Sequence, residues 1–119
     1  MKGFKVLVLA VFLITVFASL GMAKKLVYGY VTPGPDTWYR KDVEGFVYAA
    51  NLAGVEVVVL NSDYDVEKEI SNIQTLVNMK VDGMCIFSFN PNGAFIAARE
   101  CAKAGIPLVV TDNVGEVLK

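Results

Sequence analysis

Polar side chains and one indole follow the apolar runs of this chain, at positions where strands would end. Carboxylates, hydroxyls and amides exchange hydrogen bonds with ligand hydroxyls, and ionised acceptors make the stronger bonds. An indole offers a flat apolar plate to the C–H face of a sugar ring. The set therefore favours a polyhydroxyl ligand such as a monosaccharide. Its members are Asp36, Thr37, Trp38, Ser88, Asn90, Asn92, Asp112 and Asn113.

Several of these residues also have a purely structural interpretation. Asp36 is typical of a helix cap, and Trp38 could pack back onto the same helix as a hydrophobic staple. Asn90 precedes Pro91, which is a common turn pair, so a structural role there is at least as plausible as ligand contact. Asp112 either contacts ligand or caps a following turn. The sequence favours ligand binding at Asp36, Trp38 and Asp112.

The first 23 residues have the pattern of a secretory signal. Two lysines precede an uncharged apolar run that ends at the small residues Gly21 and Ala23. We therefore expect cleavage after residues 1–23, leaving a domain at 24–119 in the periplasm or outside the cell. The alternative is a retained membrane anchor, because Val6–Ala23 just reaches the length that spans a bilayer.

Composition and motifs exclude several functional classes. The chain has no histidine, no glycine-rich dinucleotide or phosphate-binding motif and no Gly-x-Ser-x-Gly elbow. Without residues 1–23, nine basic side chains face twelve acidic ones, which gives no basic surface for nucleic acid. Two cysteines alone make no metal site. We expect a protein that is not an enzyme and that uses no cofactor or metal.

Cys85 and Cys101 would enter an oxidising compartment after export. Cys85 falls in a strand pattern and Cys101 on the apolar face of a helix pattern, so a disulfide is conceivable. The interpretation that we favour is two small buried hydrophobic side chains.

Four short apolar runs rich in β-branched residues alternate with three segments of helical period. Gly54 and Gly105 are predicted to end the first and third helices, and Asp65 and Asn92 to begin the second and third. The predicted buried face of the second helix is Val66, Ile70, Ile73 and Val77. The predicted strands, expected to be covered on both faces, are Leu26–Val31, Val55–Leu60, Asp82–Ser88 and Ile106–Thr111.

The alternation predicts an α/β fold, a parallel sheet with right-handed crossovers and helices on both faces. The commonest strand order for this pattern is 2-1-3-4, which puts the switch point between strands one and three. Ligands of such sheets bind at the switch point, beyond the carboxyl ends of the strands. Asp36 and Asp112 would begin about 10 Å apart, a gap that suits a monosaccharide.

The chain resembles the sugar-binding type I periplasmic binding proteins, specifically the ribose- and autoinducer-2-binding branch of ABC-transporter receptors. The resemblance covers residues 25–113 in order and implies a Rossmann-like lobe. The stretches that carry it are GYVTPGPDTWYRKDVEGF, VVVLNSDYDVEKEISNIQTLVNMKVDGMCIFS, NGAFIAARECAKAG and IPLVVTDN.

The resemblance also implies roles for individual residues, and it adds Tyr39 to the candidates. Many sugar binders of the family have arginine after the acid of the last motif, where this chain has Asn113, which lacks the arginine fork. The implied ligand contacts are an aromatic wall of Trp38 and Tyr39, a polar contact at Asp36, the end of strand three at Ser88 or Asn90, and the acid Asp112.

Family members close two similar lobes on their ligand, and this chain resembles the amino-terminal lobe alone. We therefore expect a truncated or split receptor lobe at 24–119. Its partners would be a sugar, the missing carboxy-terminal lobe and an ABC permease, and its exposed sheet edge invites a homodimer. The alternatives are a membrane-anchored extracytoplasmic sensory lobe and a non-binding fragment that self-associates.

Overall fold

The computed structural model describes residues 24–111, in which four strands alternate with three helices. No helix within these residues combines the length and the apolar character needed to cross a bilayer. The predicted signal peptide at 1–23 lies outside the described residues. The strands are β1 (Val27–Thr32), β2 (Glu56–Asn61), β3 (Gly83–Phe87) and β4 (Leu108–Thr111), and the helices are α1 (Thr37–Leu52), α2 (Val66–Asn78) and α3 (Pro91–Ala104).

The strands form one parallel sheet in the order β2-β1-β3-β4, so the predicted order is confirmed. In register, Tyr30 of β1 lies between Val59 of β2 and Cys85 of β3. The chain moves to one side of β1 to form β2, and to the other side to form β3 and β4. Right-handed crossovers therefore place α1 on one face, and α2 packed against α3 on the other.

The helix starts follow from short polar side chains. Asp36 caps α1 and Asp65 caps α2, each accepting a backbone amide of the first turn, so the predicted cap at Asp65 is confirmed. The predicted cap at Asn92 is wrong, because Asn90 caps α3. Pro91 takes the first helical position, where a missing N–H costs no bond, so the residue before it becomes the cap.

Glycines are required where the backbone turns or where a helix approaches the sheet closely. Gly54 and Gly105 have φ of 71° and 68° at the ends of α1 and α3, as predicted. A Cβ on Gly29 would lie 2.5 Å from Cδ1 of Leu76. The missing side chain in β1 therefore lets α2 pack directly on the strand.

The core lies between the sheet and the face that carries α2 and α3. The buried side of α2 differs from the prediction, since Val66 is 42% exposed while Glu69 and Leu76 are fully buried. Because α2 packs against α3 as well as against the sheet, the side of α2 that carries Glu69 is buried. The central cluster is Val31, Ile73, Leu76, Val81, Met84, Ile86, Ala97 and Cys101.

On the opposite face, α1 contacts β1 and β2. The prediction that every strand is covered on both faces fails at β4, where Val109 is 60% exposed. An open apolar cavity of about 200 Å³, whose lining includes Tyr28, Phe46, Cys85 and Val109, lies beside it. Among the described residues, this part of the sheet has no helix over it because both crossovers beyond β1 lie on the other face.

The two cysteines are free thiols on opposite faces of the sheet. Cys101 packs in the core with its Sγ 3.7 Å from Sδ of Met84, whereas the neighbouring Cys85 points to the other face. Burial raises the pKa of Cys85 to about 11 and also raises the pKa of Cys101. The interpretation as small buried hydrophobic residues is confirmed.

Candidate functional site

Three loops meet at the carboxyl edge of the sheet: 33–36 after β1, 62–65 after β2 and 88–90 after β3. Because β1 is central, the first loop lies between the other two. This edge is where an open parallel sheet presents its ligand site. The side chains of these loops, and of the helix turns that follow them, form the candidate site.

Asp36 ties the first two loops together. Its Oδ1 accepts hydrogen bonds from the backbone amides of Trp38 (3.0 Å) and Tyr39 (3.4 Å), and its Oδ2 accepts one from the Tyr64 hydroxyl. The Tyr64 bond holds the pKa of Asp36 below its usual range and raises the pKa of Tyr64 to about 12. The structural interpretation of Asp36 as a cap is therefore observed, while its ligand contact stays a prediction.

Tyr64 is held against the first loop by an unusual backbone. Asp63 and Tyr64 have φ of 50° and 57°, and the Tyr64 amide donates to the carbonyl oxygen of Pro33 at 2.8 Å. A Cβ on Gly34 would lie 2.2 Å from the Tyr64 ring. Glycine at position 34 therefore lets the ring lie directly on the loop backbone.

An aromatic cluster of Tyr39, Tyr64, Phe87 and Phe89 joins all three loops. The Tyr39 and Phe87 ring centroids are 4.9 Å apart, those of Tyr39 and Tyr64 are 6.2 Å apart, and those of Tyr64 and Phe89 are 6.1 Å apart. All three pairs are edge-to-face, the geometry that aromatic quadrupoles favour. Sequence reasoning proposed only Tyr39; the signal that could have found the others was an aromatic residue at, or a few residues after, the end of each neighbouring strand.

Trp38 directly precedes Tyr39 in the first turn of α1 and is 74% exposed. The alternative in which it packs back on its helix as a staple is therefore not observed. A large exposed indole at the carboxyl edge of the sheet is an available stacking surface. Thr37, the first residue of α1, is exposed as well.

Ser88 and Asn90, in contrast, make internal hydrogen bonds. Ser88 is fully buried, and its Oγ donates to the Asn90 carbonyl oxygen at 2.5 Å. The Asn90 Oδ1 accepts from the Gly93 amide at 2.8 Å, and its Nδ2 donates to Glu69. These bonds shape the β3–α3 loop, and the predicted ligand contacts of both residues stay predictions.

Glu69 is a site component that sequence reasoning missed. It lies on α2 with no exposed surface, under the β3–α3 loop, and its Oε2 accepts the Asn90 bond. Burial raises the pKa of Glu69, although bonds from Ser88, Asn90 and the Phe89 amide oppose this effect. The only signal in the sequence was an acidic residue at a position where the helical period predicts a buried side chain.

Asp112 and Asn113 lie outside the described residues, so the structure does not place them. They follow β4 directly, whose last residue, Thr111, donates its hydroxyl to the Ile86 carbonyl oxygen at 3.4 Å. Within 24–111, no group of three or more potential ligands could hold a metal ion.

A family model described as a periplasmic binding protein domain matches residues 28–117. No curated protein matches the chain at a significant level. Among solved structures, an ABC transporter solute-binding protein from Mycobacterium smegmatis with bound glycerol superposes with a TM-score of 0.69 at 20% identity. That match covers 75% of this chain and 31% of the other.

Two further structures show the range of proteins with this fold. A Mycobacterium smegmatis protein in complex with β-D-fucofuranose is 28% identical, with a TM-score of 0.66 over 73% of this chain and 29% of that one. The transcription regulator CcpA of Lactococcus lactis is 22% identical, with a TM-score of 0.64 over 73% and 32%. The chain thus spans about a third of the length of the solved proteins that it matches.

Proposed function

The chain belongs to the periplasmic binding protein domain family, and from this premise we propose that it is the amino-terminal lobe of an ABC-importer receptor for a sugar or sugar-like polyol. The observation that carries the proposal is the exposed Trp38 indole at the carboxyl edge, directly before Tyr39 of the aromatic cluster. Aromatic faces bind the C–H surface of a pyranose or furanose ring, and the adjoining carboxylate accepts its hydroxyl hydrogens.

In this proposal, the ligand stacks on Trp38 with Tyr39 as the adjacent wall, and Asp112 and Asn113 bind ring hydroxyls from the end of β4. Asp36 contributes the remaining acceptor capacity of its carboxylate, since each oxygen has two lone pairs. Ser88 and Asn90 present the β3–α3 loop to the ligand.

One lobe supplies one wall of a cleft. A lone lobe leaves much of a bound sugar in water, so its affinity is on the order of millimolar. The second wall comes from a carboxy-terminal lobe, and the closed receptor delivers its sugar to a membrane permease. The proposed location is the periplasm or the cell exterior, reached through the signal at residues 1–23.

The test is Trp38 fluorescence of the full chain during titration with monosaccharides, with D-fucose as the first probe. Trp38 is the only tryptophan, so the signal reports this turn alone. We expect a saturable change that is abolished by Asp112→Ala and weakened by Tyr39→Leu. Tyr48→Leu is the matched control, because Tyr48 is an exposed tyrosine on the same helix but distant from the loops. Equal titrations for both tyrosine variants would refute the proposed site.

A further inference from the structure

Glu69 combines complete burial with an incomplete set of hydrogen bonds. It is the one buried acidic side chain among the described residues. Its Oε2 accepts from Nδ2 of Asn90, while Oε1 has no hydrogen-bond partner. A buried carboxyl of this kind is costly to ionise, and an apolar residue would fill the same space at lower cost.

The carboxyl lies against the start of α3. A Cβ built on Gly93, in the first turn of that helix, would be 2.3 Å from Oε2 of Glu69 and 2.6 Å from Oγ of Ser88. Glycine at position 93 thus allows the carboxyl to approach. The helix start favours negative charge there, which opposes the desolvation of the ionised form.

A chain of hydrogen bonds runs from this carboxyl to the ligand edge. Glu69 orients the side-chain amide of Asn90, and the same amide group caps α3 by accepting from the Gly93 amide at 2.8 Å. The Asn90 carbonyl oxygen in turn accepts from Ser88. The backbone of Phe89, whose ring belongs to the aromatic cluster, is held between these bonds.

The groups that face the carboxyl are neutral. From the β3–α3 loop they are the Ser88 hydroxyl, the Phe89 amide and the Asn90 amide, and none of the causes of its shifted titration is a charged group. On its own helix, Asp65 and Lys68 are exposed, and the Asp65 carboxylate accepts from the Lys68 amide at the helix start. The pKa shift of Glu69 is therefore not coupled to the charge of a neighbouring group.

We propose that Glu69 is a positioning residue of the binding site, whose ionised carboxyl holds the β3–α3 loop in its ligand-ready form through Asn90 and whose protonation releases it. A proton added at the unpartnered Oε1 neutralises the group, and the charge-assisted bond from Asn90 to Oε2 weakens. The link to ligand rests on the function proposed above; the link between carboxyl and loop does not.

Two opposite pH dependences follow. The pKa of Glu69 is raised in the folded chain, so the folded state binds this proton more tightly than the unfolded state does. The contribution to folding stability therefore rises as pH falls from above the folded pKa to below the unfolded one. Ligand affinity falls over the same range, because the loop is released. A residue that served only to stabilise the fold would not give this opposition.

The experiment is an NMR pH titration of the full chain that follows the Glu69 carboxyl carbon, the Gly93 amide and the Asn90 side-chain amide together. We expect all three to move with one midpoint. The two amide titrations should disappear in Glu69→Gln and persist in Glu67→Gln, an exposed control on the same helix. Flat amide signals across the Glu69 titration, or a titration that survives in Glu69→Gln, would overturn the proposal. The wild-type comparison decides the question even where the variant does not fold.

Binding of D-fucose above and below this midpoint tests the ligand link. We expect about tenfold weaker binding below it, the loss of one hydrogen bond to a charged acceptor. Equal affinities at both pH values would overturn the link. An absence of D-fucose binding at any pH, with the amide titrations intact, would instead refute the proposed function and leave the positioning role supported.

Discussion

Replacing Gly93 by alanine tests the packing between α2 and α3 most directly. The added Cβ would lie 2.3 Å from the Glu69 carboxyl and 2.6 Å from the Ser88 hydroxyl, and both groups are fully buried. Neither can move into water without unmaking the loop. The substitution therefore has to displace the carboxyl or shift the helix.

The expected change in stability is the sum of two costs minus one gain. Overpacking a filled site costs about 1–3 kcal/mol, and losing a hydrogen bond to the buried carboxyl costs about 1.5–3 kcal/mol. Alanine gains about 1 kcal/mol of helix propensity over glycine. The expected net change in the free energy of unfolding is a loss of about 1.5–5 kcal/mol, measured by urea unfolding followed by circular dichroism.

Gly45→Ala is the matched control, since Gly45 lies within α1 and a Cβ there meets nothing within 4 Å. That variant should gain up to about 1 kcal/mol from propensity alone. The double variant Gly93→Ala with Glu69→Ala should recover part of the loss if the conflict is with the carboxyl. A Gly93→Ala variant as stable as the Gly45→Ala variant would refute the close packing of Gly93 on the buried carboxyl.

Two further predictions concern the loops and the exposed sheet face. Tyr64→Phe removes the hydroxyl that donates to Asp36, so the pKa of Asp36 should rise toward its usual value, as read from its carboxyl carbon by NMR. Cys85 lines the open cavity but is only 4% exposed, and its pKa is raised to about 11, so it should react with a thiol reagent at neutral pH more slowly than a free cysteine does. Labelling of the folded chain as fast as that of free cysteine would contradict the burial of this thiol.

The order and direction of the strands were predictable because short apolar runs, helical periods and glycine ends all agreed. The cap of α3 was misassigned because two asparagines flank Pro91, and only the preference of proline for the first helical position distinguishes them. Tyr64 was overlooked for a topological reason. Its loop follows an edge strand, and only the positive φ values and the glycine at position 34 bring its ring back to the centre of the carboxyl edge.

Glu69 was beyond the reach of pattern reasoning, because helical periodicity counts apolar letters and treats an acid as a solvent-facing residue. Its burial depends on Asn90, Ser88 and Gly93, which lie some twenty residues away and meet it only when α2 packs on α3. A polar residue is accommodated there because the β3–α3 loop supplies the Asn90 side-chain amide as a hydrogen-bond donor. This pairing of a helix residue with a distant loop can be seen only in the folded structure.

The side chains at the carboxyl edge fall into two groups: those that fix the loops and those that are exposed. Asp36, Ser88 and Asn90 use their side chains to fix the loops, so in the proposed function the backbone is ordered before a ligand arrives and less entropy is lost on binding. Trp38 has most of its surface exposed and, in the proposed function, is the group that a ligand covers. A substitution that removes one of the loop-fixing hydrogen bonds should thus weaken binding of every sugar alike. A substitution at Trp38 should instead change which sugar is preferred.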